Sequence, residues 1–323
     1  MSAPQNKMPL TIGIQSKGRL KEQAEEWLAD CGFRLEVDGG ERGYRASIDG
    51  LPNVVAHLLS TADIAAGLDQ GDLHIGIIGE DLMRERGGDV DQRIMLLRPL
   101  GFGRADLVVA APQSWIDVED MADVDDVAAA FLARTGRRMR VATKYLVQTR
   151  AFFARHGVVD YRIVESSGAT EGAPAAGAAE LIVDITTTGA TLEANGLKIL
   201  ADGLILKSQA QLAASLGAGW TAEQLGSVRR LLSVVEARAR ARSLTGLTWP
   251  AAQAMAAQVA TEPFLARGAS RRESGLLAPA TDLFDISAAL AGAKVGPVSV
   301  DRPEFAFEPV SIAAESLADR LGL

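Results

Sequence analysis

The sequence predicts an α/β fold with mostly parallel sheets, arranged as two such domains and a smaller C-terminal α+β region. Three observations predict it. Short β-rich apolar runs alternate with amphipathic helical stretches over residues 10–210. The alternation restarts near Gly103, as a second α/β unit would. Beyond about residue 220 it gives way to one long helical stretch and weaker strand signals. At 323 residues the chain is also too long for one ordinary core and suits two or three domains.

Taken in order, Leu10–Gln15 reads as a strand and 20–31 as an amphipathic helix. Val54–Leu59 is strand-like, Thr61–Gln70 helical, 73–78 a strand and 80–86 a short helix. In the second set, 106–111, 139–142, Tyr161–Glu165 and 181–185 read as strands. A helix over 146–156 follows the second of them, and the last runs into 186–195. Strands at 198–200 and 204–210 are expected to return to the first domain. The expected division is 1–102 plus 198–220, then 103–197, then 221–323. A cleft between two such domains follows, with ligands beyond the carboxyl ends of the strands.

In the tail, 221–243 is one helical stretch whose Leu225, Val228, Leu232 and Val235 form an apolar stripe. It ends in Arg238, Arg240 and Arg242, a solvated basic face suited to a helix C-terminus. Residues 268–279 read as a loop, 283–290 as a helix, 296–300 and 304–307 as strands, and 311–321 as a helix.

Composition excludes several classes. A net charge of −8 argues against global attraction to nucleic acid or an anionic membrane. Aromatic residues are 5% of the chain, too few for a base-stacking surface. A single cysteine, Cys31, forbids an intrachain disulfide and suits a reducing compartment. The opening MSAPQNKMPLTIGI lacks the apolar stretch of a signal peptide, and no run approaches the ~20 apolar residues of a membrane span. The expectation is a cytoplasmic protein.

The most informative stretch is LIVDITTTGATLEANGL, residues 181–197. A strand delivers Asp184 to its carboxyl end. Thr187, Thr188, Gly189, Ala190 and Thr191 then form a turn rich in backbone and hydroxyl donors before a helix. That is what a phosphate monoester requires. Gly189 permits positive φ and close approach. Asp184 is placed for sugar hydroxyls or for Mg²⁺ through water. A strand followed by an ordinary threonine cap is the plainer alternative.

Other stretches are weaker. Lys17 and Arg19 lie where IGIQSKGRL passes from strand to helix, an anion site or an ordinary basic turn. Glu80 and Asp81, after Gly79, either cap a helix or meet ribose hydroxyls or an amino group. Lys144 ends a strand within reach of a phosphate. Ser166 to Thr170 make a small polar turn between Glu165 and Glu171, suited to a sugar or an adenine edge. No P-loop, dinucleotide fingerprint or serine elbow occurs, and His57, His74 and His156 lack metal-ligand spacing.

Together SKGRL, DLHIGIIGEDLM, RVATKY, ESSGATEGAPAAG and ELIVDITTTGATLEANGL, in this order, resemble the ATP phosphoribosyltransferase family over about residues 10–212. The resemblance implies two domains of the type II periplasmic-binding-protein kind around a cleft. It implies transfer of a phosphoribosyl group from phosphoribosyl diphosphate to ATP at the start of histidine synthesis, with Mg²⁺. Asp184 and residues 187–191 would then hold the ribose 5′-phosphate, Lys17, Arg19 and Lys144 would neutralise phosphates, and Glu80, Glu165 and Glu171 would line the cleft. The core looks closest to short family members, which end soon after it and rely on a regulatory chain resembling histidyl-tRNA synthetase. Long members carry a small histidine-binding domain instead. Residues 289–308 resemble the closing helix and strand of that domain, without its other alternating strands before them. A homo-oligomer is expected, without nucleic acid or membrane. The remaining readings are a salvage phosphoribosyltransferase, disfavoured because Val183 precedes Asp184 where those enzymes place paired acids, an exported solute-binding protein, and a non-catalytic sensor.

Overall fold

A computed structural model describes residues 8–38, 43–166 and 168–323. Residues 1–7, which open the segment read above for a signal peptide, and Ser167 of the polar turn lie outside the described residues. The chain forms two compact units. One runs to Trp220, except that Leu28–Phe33 and Gly50–Pro52 belong with Thr221–Leu323 in the other.

The first unit begins β1 (Leu10–Gln15), α1 (Arg19–Asp30), β2 (Arg34–Val37), β3 (Arg45–Asp49), β4 (Val54–Leu59), α2 (Thr61–Gln70), β5 (Ile75–Gly79), α3 (Glu80–Glu85), α4 (Val90–Arg93) and β6 (Ile94–Pro99). It continues β7 (Ala105–Pro112), α5 (Met121–Thr135), β8 (Met139–Thr143), α6 (Leu146–Arg155), β9 (Tyr161–Glu165), β10 (Leu181–Thr186), α7 (Ala190–Ala194), β11 (Leu197–Ser208) and β12 (Ala210–Ser215). The seven-stranded sheet has the order β2-β3-β4-β1-β5-β12-β6, the five-stranded sheet β11-β7-β10-β8-β9.

Both sheets repeat one plan. In the first, β4, β1 and β5 are parallel and β12 is antiparallel to β5 and β6. In the second, β9, β8 and β10 are parallel and β7 is antiparallel to β10 and β11. In each case the reversed strand is the one that enters just after the chain crosses from the other sheet. This double crossing is the layout expected of a type II periplasmic-binding-protein fold. The sheets are mixed rather than mostly parallel because of these reversed strands and the β2–β3 hairpin.

Period-two alternation shows why β7 is apolar throughout. Leu107, Val109 and Ala111 face a core with α5 and α6, while Val108 and Ala110 pack under α7 with Leu192 and Leu197. On the first sheet, Ile64 and Leu68 of α2 pack with Ile78, Met83 and Ile94.

Residues 198–208, grouped above with the first domain, pair instead with β7 in the second sheet; only β12 returns. The sequence suggests two strands because Ala201–Asp202–Gly203 interrupts the apolar run, where the register shifts at a bulge.

The second unit contains α8 (Ala222–Ala241), β13 (Leu244–Thr248), α9 (Ala254–Leu265), β14 (Ser270–Arg272), β15 (Gly275–Pro279), α10 (Leu283–Gly292), β16 (Ser299–Asp301) and α11 (Ile312–Leu321). Thr221 and Gln224 cap α8 reciprocally. From β13 to β16 the order is βαββαβ, with strands in the order β14-β15-β13-β16, a split-βαβ sheet. The alternating strands thus are present, including a hairpin where a loop was expected. Their sequence pattern is weak: β14 is three exposed residues, and β13 is a short run without alternation, with Gly246 at its centre. Residues 304–307 form no strand. Nor is the arginine cluster simply solvated: Arg238 and Arg242 both hold Asp30, and Arg240 donates to the Ala306 carbonyl. Among the described residues, no helix is long and apolar enough to cross a membrane.

Candidate functional site

The carboxyl end of β10 carries the polar loop. Leu181, Ile182 and Val183 are fully buried, and the strand emerges at Asp184. Burial raises the Asp184 carboxyl above its usual range. The Ile185 N–H, donating to it at 2.8 Å, and the charge of Lys144 lower it, while the charge of Glu171 raises it again. Gly189 sits at φ 80°, so the turn needs a residue without a Cβ. Its N–H donates to Thr186 Oγ1 at 2.9 Å, and Thr187 Oγ1 donates to the Arg104 carbonyl at 3.2 Å. The helix α7 that follows has only five residues. A helix this short contributes little dipole, and the Gly189 N–H and the Thr187 hydroxyl are engaged within the protein.

Two adjoining cavities open beside this loop. A small polar one of about 300 Å³ is lined by Glu171, Asp184, Thr187, Thr188 and Thr191. A larger, mostly apolar one of about 500 Å³ is lined by Arg19, Gln23, Asp81, Phe102, Arg104, Lys144 and Tyr145, among others. Ala105, Ile185 and Thr187 line both. The volumes suit small-molecule ligands rather than a macromolecular groove.

The sequence-predicted residues divide accordingly. Asp184, Glu171, Thr187, Thr188 and Thr191 meet in the small cavity, with Gly189 and Ala190 forming the turn between them. Arg19 and Lys144 line the larger one. Lys17, Glu80 and Glu165 line neither. Lys17 is exposed in the turn before α1, and Glu165 is exposed at the end of β9. Glu80 is occupied by Arg84 at 3.3 Å and by the Gln211 amide at 3.0 Å.

Of the two carboxylates that the sequence offers here, Asp81 and not Glu80, the one the family resemblance implies, faces the larger cavity. It is 6% exposed and accepts the Tyr145 hydroxyl at 2.7 Å and the Ser208 hydroxyl at 2.8 Å. Helical phase gave the available signal, since adjacent positions on a helix point in different directions. Sequence reasoning missed Phe102 and Arg104, because a linker between sheets carries no periodicity.

Comparison with known proteins bears on the family and the fold. The ATP phosphoribosyltransferase (HisG) family profile matches residues 60–236. An ATP phosphoribosyltransferase of Caulobacter vibrioides is 68% identical over 313 residues, covering 97% of this chain and 98% of that protein. One of a Bradyrhizobium species is 58% identical over 233 residues, covering 72% of each. In the solved ATP phosphoribosyl transferase (HisG:HisZ) complex from Thermotoga maritima, one chain superposes with a TM-score of 0.54. It is 25% identical, covering 70% of this chain and 98% of its own length. The sequence, the two-sheet fold and the relatives agree: this chain belongs to the ATP phosphoribosyltransferase family.

Proposed function

We propose that the small cavity holds phosphoribosyl diphosphate, the larger one ATP, and that adenine N1 attacks the sugar C1, giving phosphoribosyl-ATP and diphosphate. The observation that carries this reading is the shared wall. Ala105, Ile185 and Thr187 line both cavities, so a sugar seated in one meets a purine seated in the other. The threonine turn suits the 5′-phosphate and Asp184 the ribose hydroxyls. Arg19 and Lys144 bring positive charge to the triphosphate or the leaving diphosphate.

Adenine N1 carries a free lone pair, so no base has to remove a proton before attack. The residues have three tasks: holding nucleophile and C1 in line, keeping water away along an apolar wall, and matching charge as an oxocarbenium-like state forms. Mg²⁺ fits this site as an ion brought in on the diphosphate. The repulsion between Asp184 and Glu171 would be relieved by a cation near them. No cluster of three acidic, histidine or cysteine side chains among the described residues could hold a metal alone. Asp184 and Glu171 would hold it through water, and its chemistry would be to share the charge of the leaving group.

The βαββαβ tail supports regulation within the chain, with L-histidine as inhibitor, over reliance on a separate histidyl-tRNA-synthetase-like chain. Met255, Val259 and Phe284 are exposed apolar residues there, which suits a homo-oligomer. The lone cysteine suits work in the cytoplasm.

The test is an assay of the purified chain with ATP, phosphoribosyl diphosphate and Mg²⁺. Phosphoribosyl-ATP should accumulate, cease on chelation, and slow when histidine is added. Binding of both substrates without product would instead favour a sensor, and turnover of free bases a salvage enzyme.

A further inference from the structure

Every residue lining the small cavity comes from the second sheet and its connections, from Ala105 to Leu192. The larger cavity has two walls. Arg19, Gln23 and Asp81 come from the first sheet's segments, Lys144 and Tyr145 from the second's. The walls are joined by a clasp that is buried at Asp81 and part-exposed at Glu85. Asp81, at the start of α3, accepts the Tyr145 hydroxyl at 2.7 Å on one oxygen and the Ser208 hydroxyl at 2.8 Å on the other. The Gln148 amide donates to the Asp81 carbonyl at 2.8 Å. Glu85, at the end of α3, accepts the N–H groups of Val147 at 2.8 Å and Gln148 at 3.2 Å, in the first turn of α6.

We propose that Asp81 and Tyr145 are positioning residues: their hydrogen bond sets the separation of the two walls and so governs capture of the ATP acceptor, leaving phosphoribosyl diphosphate binding largely unaffected. This rests on the assignment of ATP to the larger cavity. Tyr145 is completely buried, and burial together with the Asp81 charge pushes its hydroxyl far up, so it stays a donor throughout the working pH range. The bond is therefore a fixed strut and not a proton relay. A buried carboxylate deprived of a donor is costly, so it will shift to recover one. The residue before the strut is Lys144, whose Nζ lies 5.0 Å from the Tyr145 ring centre. Loosening the strut moves Lys144 relative to Arg19 on the opposite wall. On its own segment the Asp81 carboxylate folds back over Gly79, where a Cβ would collide with it.

Tyr145→Phe is the direct test, because it keeps the ring that packs in the second-sheet core. The KM for ATP should rise about tenfold, the effect of one lost hydrogen bond to a charged group. The dissociation constant of phosphoribosyl diphosphate should stay within about twofold, and kcat should change less than KM for ATP. Asp81→Asn should give the same split, and the double variant should be no worse than the worse single one. Ser208→Ala, which removes the other donor, keeps the test open if a Tyr145 or Asp81 variant fails to fold. An unchanged KM for ATP in a folded variant overturns the proposal. Equal weakening of both substrates, in step with a lower melting temperature, also overturns it, since that is general support. Gly189→Val belongs in the same series: if it binds phosphoribosyl diphosphate like the native chain, the cavity assignment itself has failed and not the clasp.

Discussion

The small cavity takes its polar lining from residues 184–191 and Glu171, whereas the larger one gathers side chains from six separated stretches, near residues 20, 61, 80, 103, 144 and 186. The first is a property of one strand and the turn after it. The second exists only once two sheets and the crossing segment between them have come together. Substitutions in the loop should therefore act on one substrate and be severe. Substitutions around the larger cavity should act through wall placement and be graded.

Three changes would sharpen or break this contrast. The largest effect is expected from Gly189→Val. A β-branched side chain at φ 80° costs on the order of 1–3 kcal/mol and so distorts the turn on which the proposed phosphate site is built. Affinity for phosphoribosyl diphosphate should fall about 100-fold or more, at the upper end of what losing charged hydrogen bonds costs. Calorimetry showing an equal loss for ATP would erase the distinction between the cavities.

Asp184→Asn should come next, with about tenfold weaker phosphoribosyl diphosphate binding from the lost charged acceptor. Its effect on the fold runs the other way. The folded carboxyl lies above its usual value, chiefly from burial. Between the unfolded and folded values the folded chain holds the proton more tightly, so this contribution to stability is lost as pH rises through the folded value. At neutral pH the asparagine variant should then melt no lower than the native chain. In the native chain, binding should weaken as pH falls through the raised Asp184 value, and the variant should not follow it. A variant that melts much lower would mean that Asp184 serves the fold more than the ligand.

The smallest effect is expected in the second unit. Arg238, by its hydrogen bond, and the charge of Arg242 hold the Asp30 carboxyl below its usual range, against some desolvation. Its stabilising contribution is present above the unfolded value and lost as pH falls through the lowered one. Asp30→Asn should cost about 1 kcal/mol at neutral pH, as part-exposed ion pairs do, a shift of about 2–4 °C in melting temperature. Both substrate affinities should be unchanged, and a change in either would tie this unit to the site.

What the sequence disclosed follows the same division. The loop stands out in the sequence because Asp184 to Thr191 is contiguous and its residue types together suit one ligand chemistry. The two-sheet plan was legible from alternation, since β1, β4, β5, β7, β8 and β10 are buried apolar runs. Long-range pairing was not. Nothing in Tyr145 announces that its hydroxyl meets Asp81, 64 positions away. Asp202 and Gly203 hid the continuity of β11, and three exposed residues hid β14. The sequence does not choose between Glu80 and Asp81, because only the helix's orientation decides which carboxylate faces the cavity.

The reversed strand β12 also ties the molecule to the order in which its chain is made. When residue 208 has left the ribosome, all five strands of the second sheet exist. The first sheet, begun earlier, still lacks β12, and without it β6 has no neighbour to pair with. Of these two sheets, the one begun first is thus completed second, by a strand that arrives only after its sister sheet has passed.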